Sequence, residues 1–193
     1  AGLAGCHLED QLNPKRCGHL DGKQLSDVDS MCRKISATAS VRTDENFLII
    51  ARTDARSVEG FDAAVERAKT YVQAGADMIF PEALSSVEEF KAFRKAVPNT
   101  YLLANMTEFG KSELLDYETL SKIGYNLIIY PVTSQRLAMK AVEDGCHNVV
   151  ESRSQRSLLP IMLTWSRLYE VVRYADYAKF DEGIFNFKLK DHQ

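Results

Sequence analysis

Five consecutive residues, Lys15-Arg16-Cys17-Gly18-His19, place a cysteine after two cations, with a glycine behind it and a histidine two positions on. Cationic neighbours favour thiolate over thiol and lower a pKa that otherwise lies near ~8.5. The glycine permits positive φ and close backbone approach, so the pattern predicts a reactive loop at the end of a strand. The competing reading is an exposed basic loop with an incidental cysteine. Just upstream, Gly5-Cys6-His7-Leu8-Glu9-Asp10-Gln11 is a short apolar run that ends in acid. Similar endings recur down the chain, and together they offer Glu9, Asp10, Cys17, His19, Arg52, Asp54, Glu82, Asn105, Thr107, Thr133 and Arg136. Carboxylates beside arginine, asparagine and threonine suit an oxygen-rich anionic substrate with a divalent metal. Mg²⁺ takes oxygen ligands and keeps waters, which fits Glu9 for a contact direct or through water. Arg52 offers a planar fork for a carboxylate. Each residue also has a plainer role: Arg52 and Asp54 as a structural ion pair, Glu82 as a turn cap, Asn105 and Thr107 as loop hydrogen-bonders. Their shared position at successive strand ends favours the functional reading.

The elements that carry these residues follow from hydrophobic patterning. Apolar runs at residues 6–8, 47–51, 78–80, 101–104 and 127–129 are continuous rather than alternating, as in parallel strands covered on both faces. Between them, residues 61–74 repeat apolar side chains at three- and four-residue spacing, and Gly75 stands where a helix takes a left-handed cap. Ser85 and Ser86 before Glu88 and Glu89 mark a helix start, and Pro98-Asn99 its stop. Residues 117–123 with Gly124 form a shorter unit. The step of roughly 25–30 residues is that of one βαβ unit. Repetition of such units suggests a doubly wound sheet or a (β/α)₈ barrel. No GxGxxG follows any strand, and polar residues close every strand, so the barrel is favoured. The fold class expected is α/β: about five βα units of a TIM-type barrel with a helical C-terminal end. Residues 134–150 predict one helix and 157–178 a second helical region trimmed by Pro160, followed by a loose tail from Gly183 to Gln193. No linker or low-complexity tract divides residues 1–193, so one domain is expected.

Composition narrows the function classes. The chain has 193 residues, 45% of them hydrophobic and 26% charged, as in an ordinary globular domain. A net charge of -3 argues against nucleic acid as the main partner, and no apolar run reaches the ~20 residues of a membrane helix. The four cysteines show no metal-type CxxC pair and fit reduced thiols, so a cytoplasmic location is expected, or the mitochondrial matrix in a eukaryote. Cys6, Cys32 and Cys146 read as structural, and His7, His147 and His192 as strand, helix-surface and tail residues. The opening Ala1-Gly2-Leu3-Ala4-Gly5 has no initiator methionine and enters a buried-looking strand at once, which suggests that earlier neighbours of that strand belong to the fold.

The loop Lys15-Arg16-Cys17-Gly18-His19, preceded by His7-Leu8-Glu9-Asp10-Gln11, resembles the isocitrate lyase and phosphoenolpyruvate mutase superfamily. Ala51-Arg52-Thr53-Asp54-Ala55, Phe80-Pro81-Glu82-Ala83, Asn105-Met106-Thr107-Glu108-Phe109-Gly110 and Tyr130-Pro131-Val132-Thr133-Ser134 narrow the resemblance to the methylisocitrate lyases. The resemblance implies Mg²⁺-dependent retro-aldol cleavage of 2-methylisocitrate to pyruvate and succinate, in the methylcitrate cycle of propionate catabolism. It implies Cys17 as the acid that protonates the succinate-side carbanion, tuned by His19. Substrate contacts would come from Cys17, Gly18, Arg52, Glu82, Asn105, Met106, Thr107 and Arg136, and Glu9 would reach Mg²⁺ through water. It further implies a homotetramer acting on a small di- or tricarboxylate, with residues 134–178 packing on a neighbouring subunit.

Two departures qualify the match. The family's serine-glycine-glycine strand end and Asp-x-Asp metal motif are not in this sequence, so its principal metal ligands are expected upstream of residue 1. Trp165 also stands where relatives carry a substrate-contacting arginine. Arg167 is roughly 200° further round a helix and does not replace it. The alternatives are another oxo-acid reaction of the superfamily (on isocitrate, oxaloacetate or a phosphonate) and a catalytically incomplete fragment.

Overall fold

The structure, a computed structural model, describes residues 2–185. It divides into two compact units, Ala1–Gln135 and Arg136–Gln193. In the first, strands β1 (Gly5–Glu9), β2 (Leu48–Thr53), β3 (Met78–Pro81), β4 (Tyr101–Asn105) and β5 (Leu127–Ile129) form one sheet. All four pairings are parallel and the strand order follows the chain, β1-β2-β3-β4-β5. A doubly wound sheet reverses its strand order at a switch point, and this sheet does not. These are five consecutive βα units of a barrel.

Register explains the continuous apolar runs. Glu9 pairs with Arg52, Arg52 with Phe80, Leu103 with Leu127 and Asn105 with Ile129, so these side chains share one face. On that face Met78, Phe80 and Leu103 form an apolar layer with Leu48, Ile50 and Ile129, and Glu9, Arg52 and Asn105 lie one step further along the strands. The opposite face buries Ile49, Ala51, Ile79, Leu102 and Ala104 beneath the helices. These are α1 (Val28–Ser40), the single turn α2 (Ala55–Val58), α3 (Phe61–Gln73), α4 (Val87–Ala96) and α5 (Tyr117–Ile123). They contribute Met31 and Ile35, Ala64, Ala68 and Tyr71, Phe90 and Phe93, and Leu120 to that core.

The strands run one or two residues beyond the apolar runs, so Glu9, Arg52, Thr53 and Asn105 are sheet residues rather than loop residues. The α1 helix has no counterpart in the patterning. Its serines and threonines are weak helix formers, but Asp27 accepts the Ser30 amide at 2.7 Å and burial of Met31 and Ile35 outweighs propensity. The other starts follow their caps: Ser86 accepts from Glu89 N and Asp116 from Thr119 N.

The second unit holds α6 (Thr133–Ser152, from Arg136 onward), a 3₁₀ segment (Arg156–Ile161), α7 (Trp165–Val171) and α8 (Tyr174–Phe185). The second helical region is in three pieces. Pro160 lies inside the 3₁₀ segment, Thr164 starts α7 by accepting from Arg167 N, and Arg173, at φ 54°, separates α7 from α8. The expected loose tail is helical at 183–185, and residues 186–193, including His192, lie outside the described residues. None of these helical elements has a buried residue.

One side chain placed among the strand-end candidates turns inward instead. Asp10 is fully buried and accepts from Thr53 Oγ1 (2.7 Å), the Asp54 amide (3.0 Å), Tyr71 Oη (2.9 Å) and Arg67 Nη1 (3.5 Å). Arg67 in turn donates to Glu59 through Nε and Nη2, both at 2.7 Å, and to Ser26 O at 3.0 Å. Burial and the Asp10 charge hold the Tyr71 hydroxyl far above its usual pKa, keeping it a donor. Asp10 thus ties the ends of β1 and β2 to α3, and its role is to hold the strand ends that carry the site. Asp10→Asn sets amide hydrogens against several of these donors, and chemical denaturation is expected to show a loss of about 3 kcal/mol. A loss below about 0.5 kcal/mol would show the network to be dispensable.

Candidate active site

Glu9, Arg52, Glu82 and Asn105 stand at the C-terminal ends of four adjacent strands. Arg52 is the hub. Its Nε and Nη2 grip Asp54 at 2.9 and 3.3 Å, Nε lies 3.8 Å from Glu9, and Nη2 lies 3.7 Å from Glu82. Its guanidinium carbon is 4.9 Å from the centre of the Phe80 ring, a cation–π stack one strand over. Burial alone would lower the Arg52 pKa, but Asp54, Glu82 and Glu9 raise it. Asp54 is pushed up, because its burial, helped by the charges of Glu82 and Glu9, outweighs the pull of Arg52.

Glu82 is 1% exposed and follows β3 directly. Ala83 behind it takes φ 60°, a left-handed conformation that costs a residue with a side chain roughly 1–2 kcal/mol. This turn aims Glu82 at the strand ends. There it receives Asn105 Nδ2 at 3.3 and 3.4 Å and faces His19 Nε2 at 3.0 Å. Burial pushes the Glu82 carboxyl up, but the neighbouring His19, the Arg52 charge and Asn105 bring it below its ordinary range. A methyl group at position 18 would overlap the Glu82 carboxyl, so the glycine after Cys17 is a packing requirement.

The Cys17 loop is held from several sides. Buried Lys23 donates to the carbonyls of Gly18 and Leu20, and Gln11 accepts from Arg16 N and donates to Arg16 O. Gln11 also donates to Glu9 at 2.7 Å, and Lys15 pairs with the other Glu9 oxygen at 3.2 Å. Cys17 itself is a free, exposed thiol.

The structure thus gathers Gly18, His19, Arg52 and Asn105 around Glu82, with Cys17 adjacent and Glu9 on the far side of Arg52. Thr107 is buried in the segment after β4. Met106 turns its side chain into the helix-side core, where its sulfur receives the Leu115 amide at 3.4 Å. Arg136 is exposed in the first turn of α6, in the second unit. Glu9 and Arg52 fit an oxygen-rich, anionic ligand. They do not make a magnesium centre on their own: both Glu9 oxygens are engaged, and among the described residues no three His, Cys, Asp or Glu side chains are arranged to hold a cation.

Sequence reading assigned no role to Lys23, Gly110 or Lys111, and none to the Arg67 network. A glycine two residues beyond Glu108 was the one available sign for Gly110. Nothing local marks Lys23 or Arg67, whose partners lie on other segments.

Residues 1–150 match the sequence model of the phosphoenolpyruvate phosphomutase family. A probable 2-methylisocitrate lyase of Corynebacterium glutamicum is 57% identical over 188 residues, covering 97% of this chain and 62% of the relative. The 2-methylisocitrate lyase of Aeropyrum pernix is 48% identical, with 95% and 59% covered. The chain therefore spans about three fifths of the length of these relatives. Among solved structures, an oxaloacetate acetylhydrolase in complex with 3,3-difluorooxalacetate superposes with a TM-score of 0.86 at 31% identity, covering 97% of this chain and 63% of that one.

The lowered Glu82 pKa has a definite sign. Stability from its ionised contacts is present above the ordinary glutamate pKa and is lost as pH falls through the lowered folded value. Thermal unfolding of wild type and Glu82→Gln, followed from about pH 7 to about pH 3, is expected to show a gap that narrows on acidification. A gap constant across that range would mean that Glu82 is not held ionised.

Proposed function

The chain belongs to the phosphoenolpyruvate phosphomutase family, and from that premise we propose that it carries the proton-donating half of a carbon–carbon lyase site that cleaves 2-methylisocitrate to pyruvate and succinate. The observation that supports this most is Glu82, a buried carboxylate between His19, Arg52 and Asn105 and packed against Gly18, next to Cys17. Identity to 2-methylisocitrate lyases over nearly the whole chain supports the choice of substrate.

In the proposed reaction the substrate hydroxyl loses its proton and becomes the pyruvate carbonyl as the carbon–carbon bond breaks. The electron pair stays on the succinate carbon, and the Cys17 thiol delivers a proton there. The Arg52 edge that grips Asp54 is spent, so a substrate carboxylate would meet the opposite edge of the guanidinium. Asn105, with Gly18 and Thr107, completes the proposed substrate contacts of the first unit. Met106 would contribute through its backbone rather than its core-facing side chain. His19 acts through Glu82.

Magnesium dependence belongs to this reading as a family expectation. Glu9 would serve it only through water, and the ion, when bound, would stabilise developing negative charge on substrate oxygens. A role in propionate catabolism and a cytoplasmic location complete the reading. Among the described residues no helix is long and apolar enough to cross a membrane. A homotetramer is proposed on the second unit, whose α6, α7 and α8 leave Leu137, Trp165, Phe180 and Phe185 more than half exposed.

Oxaloacetate hydrolysis is the second reading, favoured by the likeness to the acetylhydrolase.

In an assay of the protein carrying this chain with Mg²⁺, 2-methylisocitrate is expected to yield pyruvate and succinate, while oxaloacetate and isocitrate turn over at least about tenfold more slowly. Cys17→Ser is expected to reduce kcat by about 10²-fold or more with an unchanged melting temperature. Faster turnover of oxaloacetate would reverse the order of the two readings, and an unaffected Cys17→Ser rate would remove that thiol from the chemistry. For assembly, light scattering is expected to give four copies per particle; a monomer would refute the tetramer.

A further inference from the structure

The segment after β4 reaches across the mouth of the sheet to the Cys17 loop. The Lys111 amide donates to His19 Nδ1 at 2.9 Å, and the Lys111 ammonium pairs with Asp21 at 2.5 Å. Beside them Gly110 lies so close to the imidazole that a Cβ there would sit 2.7 Å from Nδ1 and 2.8 Å from Cε1. None of these contacts belongs to the reacting groups. They fix something about His19 instead.

A main-chain N–H can only donate, so the Nδ1 it meets carries a lone pair and no proton. The ring proton of the neutral imidazole must then sit on Nε2, the atom that faces Glu82 Oε1 at 3.0 Å. The other tautomer would set the Nε2 lone pair against a carboxylate oxygen and an N–H against an N–H, which is repulsive at both ends of the ring. Glu82 would then face a lone pair instead of the N–H dipole 3.0 Å away. Charge alone would not give this result, because the Lys111 ammonium is spent on Asp21 at the loop surface. The amide does it, and the glycine before it is what lets the amide come close enough.

We infer that Gly110 and the Lys111 amide are positioning residues, which lock His19 as the Nε2–H tautomer and through it orient Glu82 against the Cys17-Gly18 loop. The inference rests on the lyase reading only for its kinetic arm, since the tautomer is a property of the protein without substrate. A lone surface ion pair contributes little, so the Lys111–Asp21 contact is an aid to this loop geometry and not its cause.

The test is a long-range ¹H–¹⁵N correlation spectrum of the protein with ¹⁵N-labelled histidine, His19 being assigned by its loss in His19→Gln. The wild type is expected to show a protonated Nε2 and an unprotonated Nδ1. Lys111→Ala keeps the amide and is expected to keep that pattern. Gly110→Ala is expected to replace it with exchange-averaged or Nδ1–H signals, and to lower kcat on 2-methylisocitrate by about tenfold with KM changed less than about threefold. An Nδ1–H tautomer in the wild type overturns the inference whether or not either variant folds. So does a folded Gly110→Ala protein with an unaltered His19 spectrum, or an altered spectrum with unaltered kcat. Should wild type turn over none of the superfamily substrates, the lyase reading fails while the spectrum still decides the tautomer.

Discussion

The first unit depends on one buried carboxylate having its donors. Asp10 is sealed from solvent where the ends of β1 and β2 meet α3, and a carboxylate in that position is tolerable only when hydrogen bonds replace its lost water. Thr53, Asp54 and Tyr71 supply them, with Arg67 close by. The amide that Asp54 gives to Asp10 is the one at the start of α2, so the turn that carries the Asp54 carboxyl is pinned from below. The Asp54 carboxyl then holds Arg52, and Arg52 lies between Glu9 and Glu82. The polarity of the mouth is thus built in two layers, a structural one beneath and a reactive one above.

The same economy of charge explains the electrostatics above. Three carboxylates, Glu9, Asp54 and Glu82, crowd a single guanidinium. They do not share it equally: Asp54 takes the bidentate edge and yet is raised, because it is buried and faces two like charges. Glu82 is just as deep but has His19 beside it and Asn105 as a donor, and so is lowered. Hydrogen bonds from neighbours on other segments, not depth, decide which of the two stays ionised most readily. His19 comes close because Gly18 and Gly110 carry no side chains that would keep the loops apart.

The strands were legible from their apolar runs, and their ends were legible as a site because polar residues followed every run. The membership of the cluster was legible too, since Cys17, Arg52, Glu82 and Asn105 lie in motifs whose order matches a family. The α1 helix was not, although its apolar side chains are as periodic as those of α4, because its serines and threonines lower helix propensity and its stability comes from burying Met31 and Ile35 against the sheet. The inward turn of Asp10 and of Met106 was equally hidden. Each follows a strand or ends one, where a single residue decides which face a side chain takes. In the second unit Pro160 and Arg173 break what periodicity alone had joined.

By itself the sequence determined a parallel βα repeat, the polar strand ends, the composition of the Cys17 loop and the family to which they point, because each rests on residues close together in the chain. Tertiary structure alone decided which acid is buried, which is ionised and which nitrogen of His19 holds its proton. Those properties depend on contacts between segments as far apart as His19 and Lys111, and no local pattern encodes such a distance. The Cys17 loop owes its composition to its own sequence and its geometry to the strand ends it meets.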